Sequence, residues 1–366
     1  MKKATMRAGI LGGGFMAEVH SRAIRAAGHE VVMISSSSPE KSAEAARRLG
    51  IEHIALDNRS LIESELVDVV HVCTPNFLHK TQTEQVINYG KPVICEKPLA
   101  TTFADAQSLF DLSVATSIPT GVPFVYRYYP AVQEIRDRIS RGDNGELHLL
   151  HGAYLQDWLA KPSSTNWRID RQVGGESRTF ADIGVHWCDL MEFVTGHRIT
   201  KLVSSLATIH PERGSTEDAA SILFETDRGA FGTLLASQIS HGRKNELKFS
   251  FDGEFESYQW NQERPGRFSA SNSQTEIIIE VGSNSMNSVA AQNLAYLPAG
   301  HPQGYQDAFN AFMKDCYRSF AGESVDGLPT FEDGLRAAQI TEAVLQSSDS
   351  RQWVEVATLA SAKASL

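Results

Sequence analysis

A glycine-rich turn near the start of the chain constrains its fold more than any other feature. Residues 7–11 have the pattern of a short buried strand and run directly into Gly12-Gly13-Gly14-Phe15-Met16-Ala17, after which a helical pattern begins. In such a turn Gly12 permits the tight bend, Gly14 lets a pyrophosphate approach the backbone, and Ala17 lets the helix pack closely on the strand. This pattern predicts a dinucleotide-binding domain in which the helix N-terminus faces the phosphates.

Length and charge set broad limits on the class of protein. The 366 residues exceed one typical domain and favour two. The formal net charge of −10 argues against nucleic acid or an anionic membrane as the main partner. The 4 cysteines form no C-x-x-C pair, no apolar run is long enough for a membrane helix, and the three glycines interrupt any signal peptide. We therefore expect a cytoplasmic, enzyme-sized protein, and we predict no metal site.

The end of the second predicted strand bears on the choice of cofactor. Residues 30–34 lead into four serines, 35–38, where dinucleotide folds often place an acidic residue that binds the adenosine ribose. Ser35 and Ser36 can hydrogen-bond either a ribose or a 2′-phosphate, and the alternative is that the serines only cap the helix that follows at Pro39. NAD is preferred on this basis, and NADP stays open.

Two further predicted strands end in polar segments. Residues 67–74 end in Thr74-Pro75-Asn76, with His79 three residues later, and residues 92–95 end in Glu96-Lys97-Pro98. Ligands of open α/β sheets bind beyond the carboxyl ends of the strands, so both segments are candidates for ligand binding. A lysine in this place can meet a substrate hydroxyl or the nicotinamide region; the alternative is an ordinary solvated lysine.

Another run, from Gly174 to Glu192, carries a candidate acid–base pair. It opens with two glycines and continues with apolar residues at roughly helical spacing. Asp182 and His186 are four residues apart, so on a helix they share one face. A carboxylate one turn from an imidazole can orient the ring and make it a usable general base near neutral pH. Taken alone, an ordinary surface pair is the alternative.

Together these segments make the chain similar to the glucose–fructose oxidoreductase and inositol dehydrogenase (Gfo/Idh/MocA) family. The resemblance implies a Rossmann domain, then an α/β domain with a large, mostly antiparallel open sheet. It also implies a nicotinamide cofactor, catalysis by Lys97, Asp182 and His186, and a cis Lys97-Pro98 bond. The motifs are Gly12-x-Gly14-x-x-Ala17, Thr74-Pro75-Asn76-x-x-His79, Gly90-Lys91-Pro92-x-x-x-Glu96-Lys97-Pro98 and Asp182-x-x-x-His186.

We place the domain boundary near residue 123, with a dinucleotide-binding domain over 1–123 and a substrate-binding and oligomerisation domain over 124–366. Residues from about 201 to 280 alternate in strand fashion, and the outer face of that sheet is expected to pair with a second subunit in a homodimer or homotetramer. Beyond the sheet we predict an irregular loop over 282–298, helices over 305–320 and 331–347, and a frayed tail over 357–366.

The second domain also carries side chains that suit a polyhydroxylated ring. The C–H face of such a ring packs on an aromatic side chain, and its hydroxyls bind amides, carboxylates or guanidinium groups. Core packing or loop fixing is the alternative for each. With residues 300–305, this set resembles the branch of the family that oxidises levoglucosan or position 3 of glycosides. The predicted substrate-binding residues, besides Lys97, Asp182 and His186, are Tyr126, Gln156, Asp157, Trp167, Arg168 and His301.

The sequence thus predicts an NAD-dependent dehydrogenase that oxidises a ring secondary alcohol, C3 of a pyranose-type sugar, to the ketone. His186 would take the hydroxyl proton, Lys97 would stabilise the developing alkoxide, and Asp182 would orient substrate or His186. Inositol or aldose oxidation and an NAD-assisted glycosidase are the alternatives; a non-catalytic sensor is disfavoured because all three catalytic positions are filled. The predicted cofactor-binding residues are Gly12, Gly14, Phe15, Met16, Ser35, Ser36, Thr74, Pro75, Asn76, His79, Glu96 and Lys97.

Overall fold

Two β-sheets organise the fold, and the computed structural model describes residues 5–357. In chain order the strands are β1 (Arg7–Leu11), β2 (Glu30–Ser35), β3 (His53–Ile54), β4 (Val69–Val72), β5 (Val93–Cys95), β6 (Thr120–Gly121), β7 (Leu147–Leu155), β8 (Ile199–Ala207), β9 (Ala219–Thr226), β10 (Phe231–Ser237), β11 (Glu246–Gly253), β12 (Ser257–Asn261), β13 (Arg267–Ser271), β14 (Glu276–Glu280) and β15 (Val354–Glu355).

The helices surround these sheets. In chain order they are α1 (Phe15–Ala26), α2 (Pro39–Leu49), α3 (Asn58–Glu63), α4 (His79–Asn88), α5 (Phe103–Thr116), α6 (Pro130–Ser140), α7 (Arg171–Gly174), α8 (Val185–Thr195), α9 (Val289–Leu294), α10 (Tyr305–Phe320) and α11 (Phe331–Ser350). Within residues 5–357 we find no helix with the length and hydropathy that crossing a bilayer requires.

The chain divides into two compact units. Unit 1 contains the described residues up to Val125 together with Tyr305–Ala338, and unit 2 contains Tyr126–Gly304 with the described residues from Gln339 onward. These units differ from the two contiguous segments predicted with a boundary near 123, because the chain returns to unit 1 at α10. Buried aromatic side chains explain the return: the Phe309 ring of α10 lies 5.0 Å from the His20 ring of α1.

Unit 1 is built on a parallel sheet of 6 strands in the order β3-β2-β1-β4-β5-β6. Its central strands are buried on both faces, as a sheet covered by helices on each side requires. The strand order reverses between β1 and β4, and this switch point is where doubly wound folds bind their ligands. The capping role that the sequence offered as the alternative for the serines holds for Ser38, whose hydroxyl accepts from the Lys41 N–H, and Pro39 takes the first helical position.

Unit 2 is built on a sheet of 9 strands in the order β14-β13-β12-β11-β7-β10-β9-β8-β15. The β7–β10 pair is parallel and the other pairs are antiparallel. Helix α8 lies on one face of this sheet. Its Trp187 is 1% exposed and donates from Nε1 to the Lys248 carbonyl oxygen at 3.0 Å. This anchor in the sheet fixes the position of the neighbouring His186.

The irregular loop predicted over 282–298 is wrong in part, because residues 289–294 form α9. Its N-terminus is satisfied twice: the Ser288 hydroxyl accepts from the Ala291 N–H, and the buried Glu134 carboxylate accepts from the N–H groups of Asn287 and Ser288. That carboxylate comes from α6, far away in sequence. The frayed tail predicted over 357–366 lies, apart from Ala357, outside the described residues.

Candidate active site

The turn between β1 and α1 has the geometry of a phosphate-binding loop. Gly12 has φ of 103°, and a Cβ there would lie 2.5 Å from the Cys73 carbonyl oxygen, so glycine is required at this position. Gly14 is the N-cap of α1 and offers no side chain to the first helical turn. A Cβ built on Gly14 meets no described heavy atom within 4 Å. Uncapped N–H groups beside open space fit the pyrophosphate of a dinucleotide.

The four predicted cofactor-binding side chains around this loop differ in their burial and contacts. Phe15 is 70% exposed in the first turn of α1, and Met16 is half-buried. Ser35 is buried, and its hydroxyl donates to the Asn58 side-chain oxygen at 2.8 Å. The Ser36 hydroxyl would lie 3.1 Å from a Cβ on Gly13, which places it beside the turn. Of the two serines, Ser36 is therefore the one next to the phosphate loop.

An arginine that sequence reasoning missed also reaches this loop. Arg48 is exposed near the end of α2, and its Nη2 donates to the Gly13 carbonyl oxygen at 2.6 Å. The sequence gives only a weak signal for Arg48, because the packing of α2 against the turn is what brings the guanidinium there. In this packing the Ala45 methyl would lie 3.0 Å from a Cβ on Gly13.

His79 ties together the two polar segments that follow β4 and β5. It is 1% exposed, with its Nδ1 2.7 Å from the Pro98 carbonyl oxygen and its Nε2 2.9 Å from the Thr74 carbonyl oxygen. Burial lowers its pKa. The implied cis Lys97-Pro98 bond is confirmed. Both ring nitrogens of His79 thus face protein carbonyl groups, so its contacts hold the segments that carry Pro75 and Lys97 in place.

The neighbouring predicted cofactor-binding residues lie at the same edge of the unit 1 sheet. The Thr74 hydroxyl donates to the Gln82 side-chain oxygen at 2.6 Å, and Asn76 is 9% exposed. Glu96 is 6% exposed, and its carboxylate accepts from the Lys97 N–H at 3.2 Å. This edge therefore presents a backbone segment with one lysine side chain and one buried carboxylate.

In unit 2, Asp182 and His186 lie on or next to a π turn. Residues Phe180–Gly184 form this turn and lead into α8, where the sequence predicted regular helical spacing. A Cβ on Gly184 would lie 2.4 Å from the Phe180 ring, so glycine permits the close approach. Single π turns inside helices are frequent at functional sites. The predicted i,i+4 relation on an α-helix is corrected to this wider turn.

A buried carboxylate, Glu217, holds the start of the π turn. Its Oε1 accepts from the Phe180 N–H at 2.9 Å and from the Ser177 hydroxyl at 2.7 Å, and its Oε2 accepts from the Arg178 N–H at 3.1 Å. Glu217 is 3% exposed. Two N–H groups and one hydroxyl on a single buried carboxylate hold the start of the turn in place.

His186 lies among aromatic and amide groups. Its ring is 5.1 Å from the Tyr126 ring at an interplanar angle of 84°, and 6.3 Å from the Tyr154 ring. The two tyrosine hydroxyls are 2.5 Å apart, and both bind the side chain of Asn245. Gln156 donates to the same Asn245 oxygen at 2.8 Å. The structure thus connects the predicted residues Tyr126 and Gln156 with His186 through Tyr154 and Asn245, which were not among the predicted site residues.

Asp182 is held by a different set of side chains. Its Oδ2 accepts from Nε2 of Gln238 at 2.7 Å, and its Oδ1 lies 3.4 Å from Nε of Arg168. The guanidinium of Arg168 stacks over the Trp167 ring at 4.3 Å from its centroid. Burial, and then the charge of Asp182, raises the pKa of Tyr126. The structure therefore brings the predicted residues Trp167 and Arg168 to Asp182, beside the tyrosines.

Two predicted substrate-binding residues have other contacts. Asp157 pairs with Lys244 at 2.7 Å, and that hydrogen bond lowers the pKa of the Asp157 carboxyl. His301 is exposed, and its Nδ1 lies 3.1 Å from the Pro298 carbonyl oxygen. The contact of His301 is the loop-fixing one that the sequence left open as the alternative.

The missed residues come from neighbouring strand ends. Tyr154 is in β7, Gln238 follows β10, and Asn245 precedes β11, which pairs with β7. The parallel pairing of β7 with β10 sets Leu155 beside Ser237, so the residues after both strands meet. This pairing is the signal that could have found them, but it is invisible until the strand order is known.

The comparisons with known proteins agree with this geometry. Residues 6–122 match the model of an oxidoreductase family with an NAD-binding Rossmann fold, and residues 132–259 match the Gfo/Idh/MocA C-terminal domain. The chain is 30% identical to a levoglucosan dehydrogenase of Pseudarthrobacter phenanthrenivorans, over 96% of this chain and 98% of that protein. The chain belongs to the Gfo/Idh/MocA family.

Further relatives of this family member extend the comparison. It is 21% identical to a glucose-6-phosphate 3-dehydrogenase of Bacillus subtilis, over 96% of this chain and 99% of that protein. A solved levoglucosan dehydrogenase in complex with NADH and levoglucosan has a TM-score of 0.90 at 30% identity and covers 97% of this chain and 100% of that one. The predicted family and fold class are confirmed. The protein is an NAD-dependent sugar oxidoreductase.

Proposed function

We propose that this oxidoreductase oxidises a ring secondary hydroxyl, C3 of a pyranose-type sugar such as levoglucosan or a glycoside, to the ketone. The observation that carries the proposal is the nearly full-length similarity to the levoglucosan dehydrogenase solved with its sugar. The name of the Bacillus subtilis relative supports position 3. In unit 2, the aromatic and amide groups next to His186 suit the apolar face and the hydroxyls of such a ring.

We assign the proton transfer to His186. A bound NAD supplies the hydride acceptor, so the chain itself must remove the hydroxyl proton and stabilise the developing alkoxide. His186 is 7% exposed and lies beside two tyrosine rings. Packing of this kind fixes the orientation of the imidazole that acts as the base. Lys97, at the end of β5, carries the positive charge that stabilises the alkoxide in this proposal.

We assign substrate orientation to Asp182. Gln238 and Arg168 each contact one of its two oxygens, so the carboxylate plane is held from both sides. A carboxylate held in this way can accept from a sugar hydroxyl next to the reacting carbon. Tyr126, Gln156, Trp167 and Arg168 are the further substrate groups; His301 and Asp157 stay predictions from the sequence.

A substrate panel tests the reaction. Levoglucosan, methyl and aryl glucosides, glucose and myo-inositol are supplied with NAD, and NADH absorbance is followed together with identification of the ketone by NMR. Oxidation of levoglucosan or a glycoside at C3 is expected. Oxidation of inositol or free glucose alone would contradict the substrate class, and release of aglycone without net NADH would assign the chain to the NAD-assisted glycosidases.

The open face of the unit 2 sheet supports the predicted homo-oligomer. Leu149, Leu223, Phe231 and Leu235 are each between 40% and 43% exposed on adjacent strands β7, β10 and β9. Exposed apolar groups that are contiguous on one face mark an association surface. We propose a second copy of this chain as its partner. A cytoplasmic location is also kept as a proposal, with which the 4 free cysteines agree.

A further inference from the structure

A chain of buried polar side chains runs through unit 1 to Glu96. Nε2 of His20 lies 3.0 Å from Oε1 of Glu96, Nδ1 of His20 lies 2.9 Å from Nδ1 of His71, and Nε2 of His71 lies 3.0 Å from the Tyr317 hydroxyl. The exposed fractions of these four residues are 0% for both histidines, 2% for Tyr317 and 6% for Glu96. None of the roles assigned above uses the two histidines or Tyr317.

The contacts determine where the protons lie. A carboxylate only accepts, so with Glu96 ionised Nε2 of His20 carries the proton. A neutral His20 then has a bare Nδ1 and accepts from Nδ1 of His71, which in turn leaves Nε2 of His71 bare to accept from the Tyr317 hydroxyl. In this arrangement every hydrogen bond is donated towards Glu96, and each polar atom named here has a partner.

The reverse arrangement is less well satisfied. It needs a protonated Glu96 that donates to His20, with His71 donating to the Tyr317 oxygen. The hydroxyl hydrogen of Tyr317 then lacks an acceptor, because in the described part of the chain Nε2 of His71 is the one within hydrogen-bonding distance. Burial and the neighbouring His20 lower the pKa of His71 well below its usual value, which favours the neutral ring. Burial raises the pKa of Tyr317, which keeps its proton.

We propose that Tyr317, His71 and His20 are positioning residues that keep Glu96 ionised and fix its carboxylate beside Lys97. The proposal rests on the proposed function in one respect, the assignment of Glu96 to the cofactor site. An ionised carboxylate there favours the positively charged nicotinamide of NAD⁺ over the neutral ring of NADH. Helix α10, by which the chain returns to unit 1, supplies Tyr317.

Other titratable groups face this chain and are accounted for. The Lys97 N–H donates to the Glu96 carboxylate. The negative charge of Glu96 acts to raise the pKa of three neighbours, Cys73 after β4, Cys95 in β5 and His79 in α4. The His29 ring stacks on the Tyr317 ring at a centroid distance of 4.1 Å. After burial, Cys316 and Asp68 also raise the pKa of Tyr317 electrostatically.

The proton positions are tested directly by nitrogen-15 NMR of the imidazoles in the NAD⁺-bound full chain, with His20→Asn and His71→Asn spectra used for assignment. We expect His20 to be protonated at Nε2 with a bare Nδ1, and His71 to be protonated at Nδ1 with a bare Nε2. A bare Nε2 on His20, or a protonated Nε2 on His71, would overturn the proposal. The result does not depend on which sugar the enzyme oxidises.

A single-atom variant tests the consequence for the cofactor. Tyr317→Phe removes the terminal hydroxyl, so protonation of Glu96 no longer leaves a buried hydroxyl hydrogen without an acceptor, and NAD⁺ affinity should be lost on acidification at a higher pH than in the parent. At pH 6 we expect a Kd for NAD⁺ raised about fivefold, the low end of the cost of one unsatisfied buried donor, and a Kd for NADH changed less.

The matched control is Tyr258→Phe, which removes another buried hydroxyl, bonded to Glu256 at 2.7 Å in unit 2. Its pH dependence of NAD⁺ affinity should equal the parent's. If Tyr317→Phe also equals the parent, or shifts NAD⁺ and NADH affinity equally at every pH, the three residues do not act through Glu96. If Tyr317→Phe does not fold, the NMR measurement on the parent decides. If the parent oxidises no sugar while these binding results are obtained, the proposed function is refuted and this inference is not.

Discussion

Lys97 is the single residue whose removal should cost the reaction most. Truncating Lys97→Ala removes the positive charge that stabilises the alkoxide, so we expect kcat to fall by about 10²–10³, the usual loss for one transition-state contact of this kind. The Kd for NAD⁺ should stay within about threefold of the parent. Steady-state kinetics and fluorescence titration measure the two. Lys80→Ala, which removes a lysine paired with Glu84 on α4, is the control, and unchanged turnover in Lys97→Ala would remove Lys97 from the mechanism.

Cofactor choice is also a matter of single residues. Ser36 beside the phosphate loop carries no charge that would repel a 2′-phosphate, and Arg48 is engaged with the Gly13 carbonyl oxygen. Without a bidentate arginine fork, NADP lacks its usual partner. We expect kcat/KM to be about tenfold higher with NAD, or roughly 1.4 kcal/mol. Equal or higher efficiency with NADP would contradict this prediction, and Arg48→Ala would then test whether the Arg48 guanidinium binds the 2′-phosphate.

At the scale of elements, the π turn depends on Glu217. In Glu217→Gln an amide NH₂ replaces one oxygen, so either the Arg178 N–H or the Phe180 N–H faces a donor in a buried place. We expect the free energy of unfolding to fall by about 1–3 kcal/mol and turnover to fall with it, since Asp182 lies on this turn. Thermal unfolding and kinetics measure both effects. Glu280→Gln, at an exposed position of β14, is the control and should change neither.

The elements were the best-predicted level of the structure. Helix α10 has the predicted bounds of 305 and 320, and β14 those of 276 and 280. Local hydrophobic periodicity and glycine stops are sufficient for this. The π turn and α9 were missed for one physical reason: each N-terminus binds a buried carboxylate, Glu217 or Glu134, from a remote part of the chain. No local pattern encodes that partner.

At the scale of the whole molecule, the prediction concerns association. Leu235→Glu puts a charge in the proposed surface between copies, so we expect the mass in light scattering to fall to that of the monomer. Leu56→Glu, at a leucine that is 91% exposed in unit 1, should leave the mass unchanged. A parent that is already monomeric, or an oligomer that survives Leu235→Glu, would contradict the proposed partner.

The sequence by itself determined the family, the fold class and the need for a nicotinamide cofactor. These follow from contiguous motifs, in which the turn at Gly12, the segment ending in Lys97 and the run through Asp182 and His186 each combine a local backbone requirement with a chemical group. Each motif could be identified without knowing what packs against it. The roles given to these residues stay predictions until the kinetic tests are made.

Tertiary structure alone decided what surrounds those groups. Tyr154 bonds to Asn245, and Gln238 follows the strand on the other side of β7, because β7 lies between β11 and β10 in the sheet. No local sequence pattern encodes this strand order. The return of α10 to unit 1, and with it the contact of Tyr317 with His71, depends on the burial of an apolar helix face against partners about 240–290 residues earlier in the chain. Sequence periodicity shows that such a face must be buried, but only the folded chain shows where.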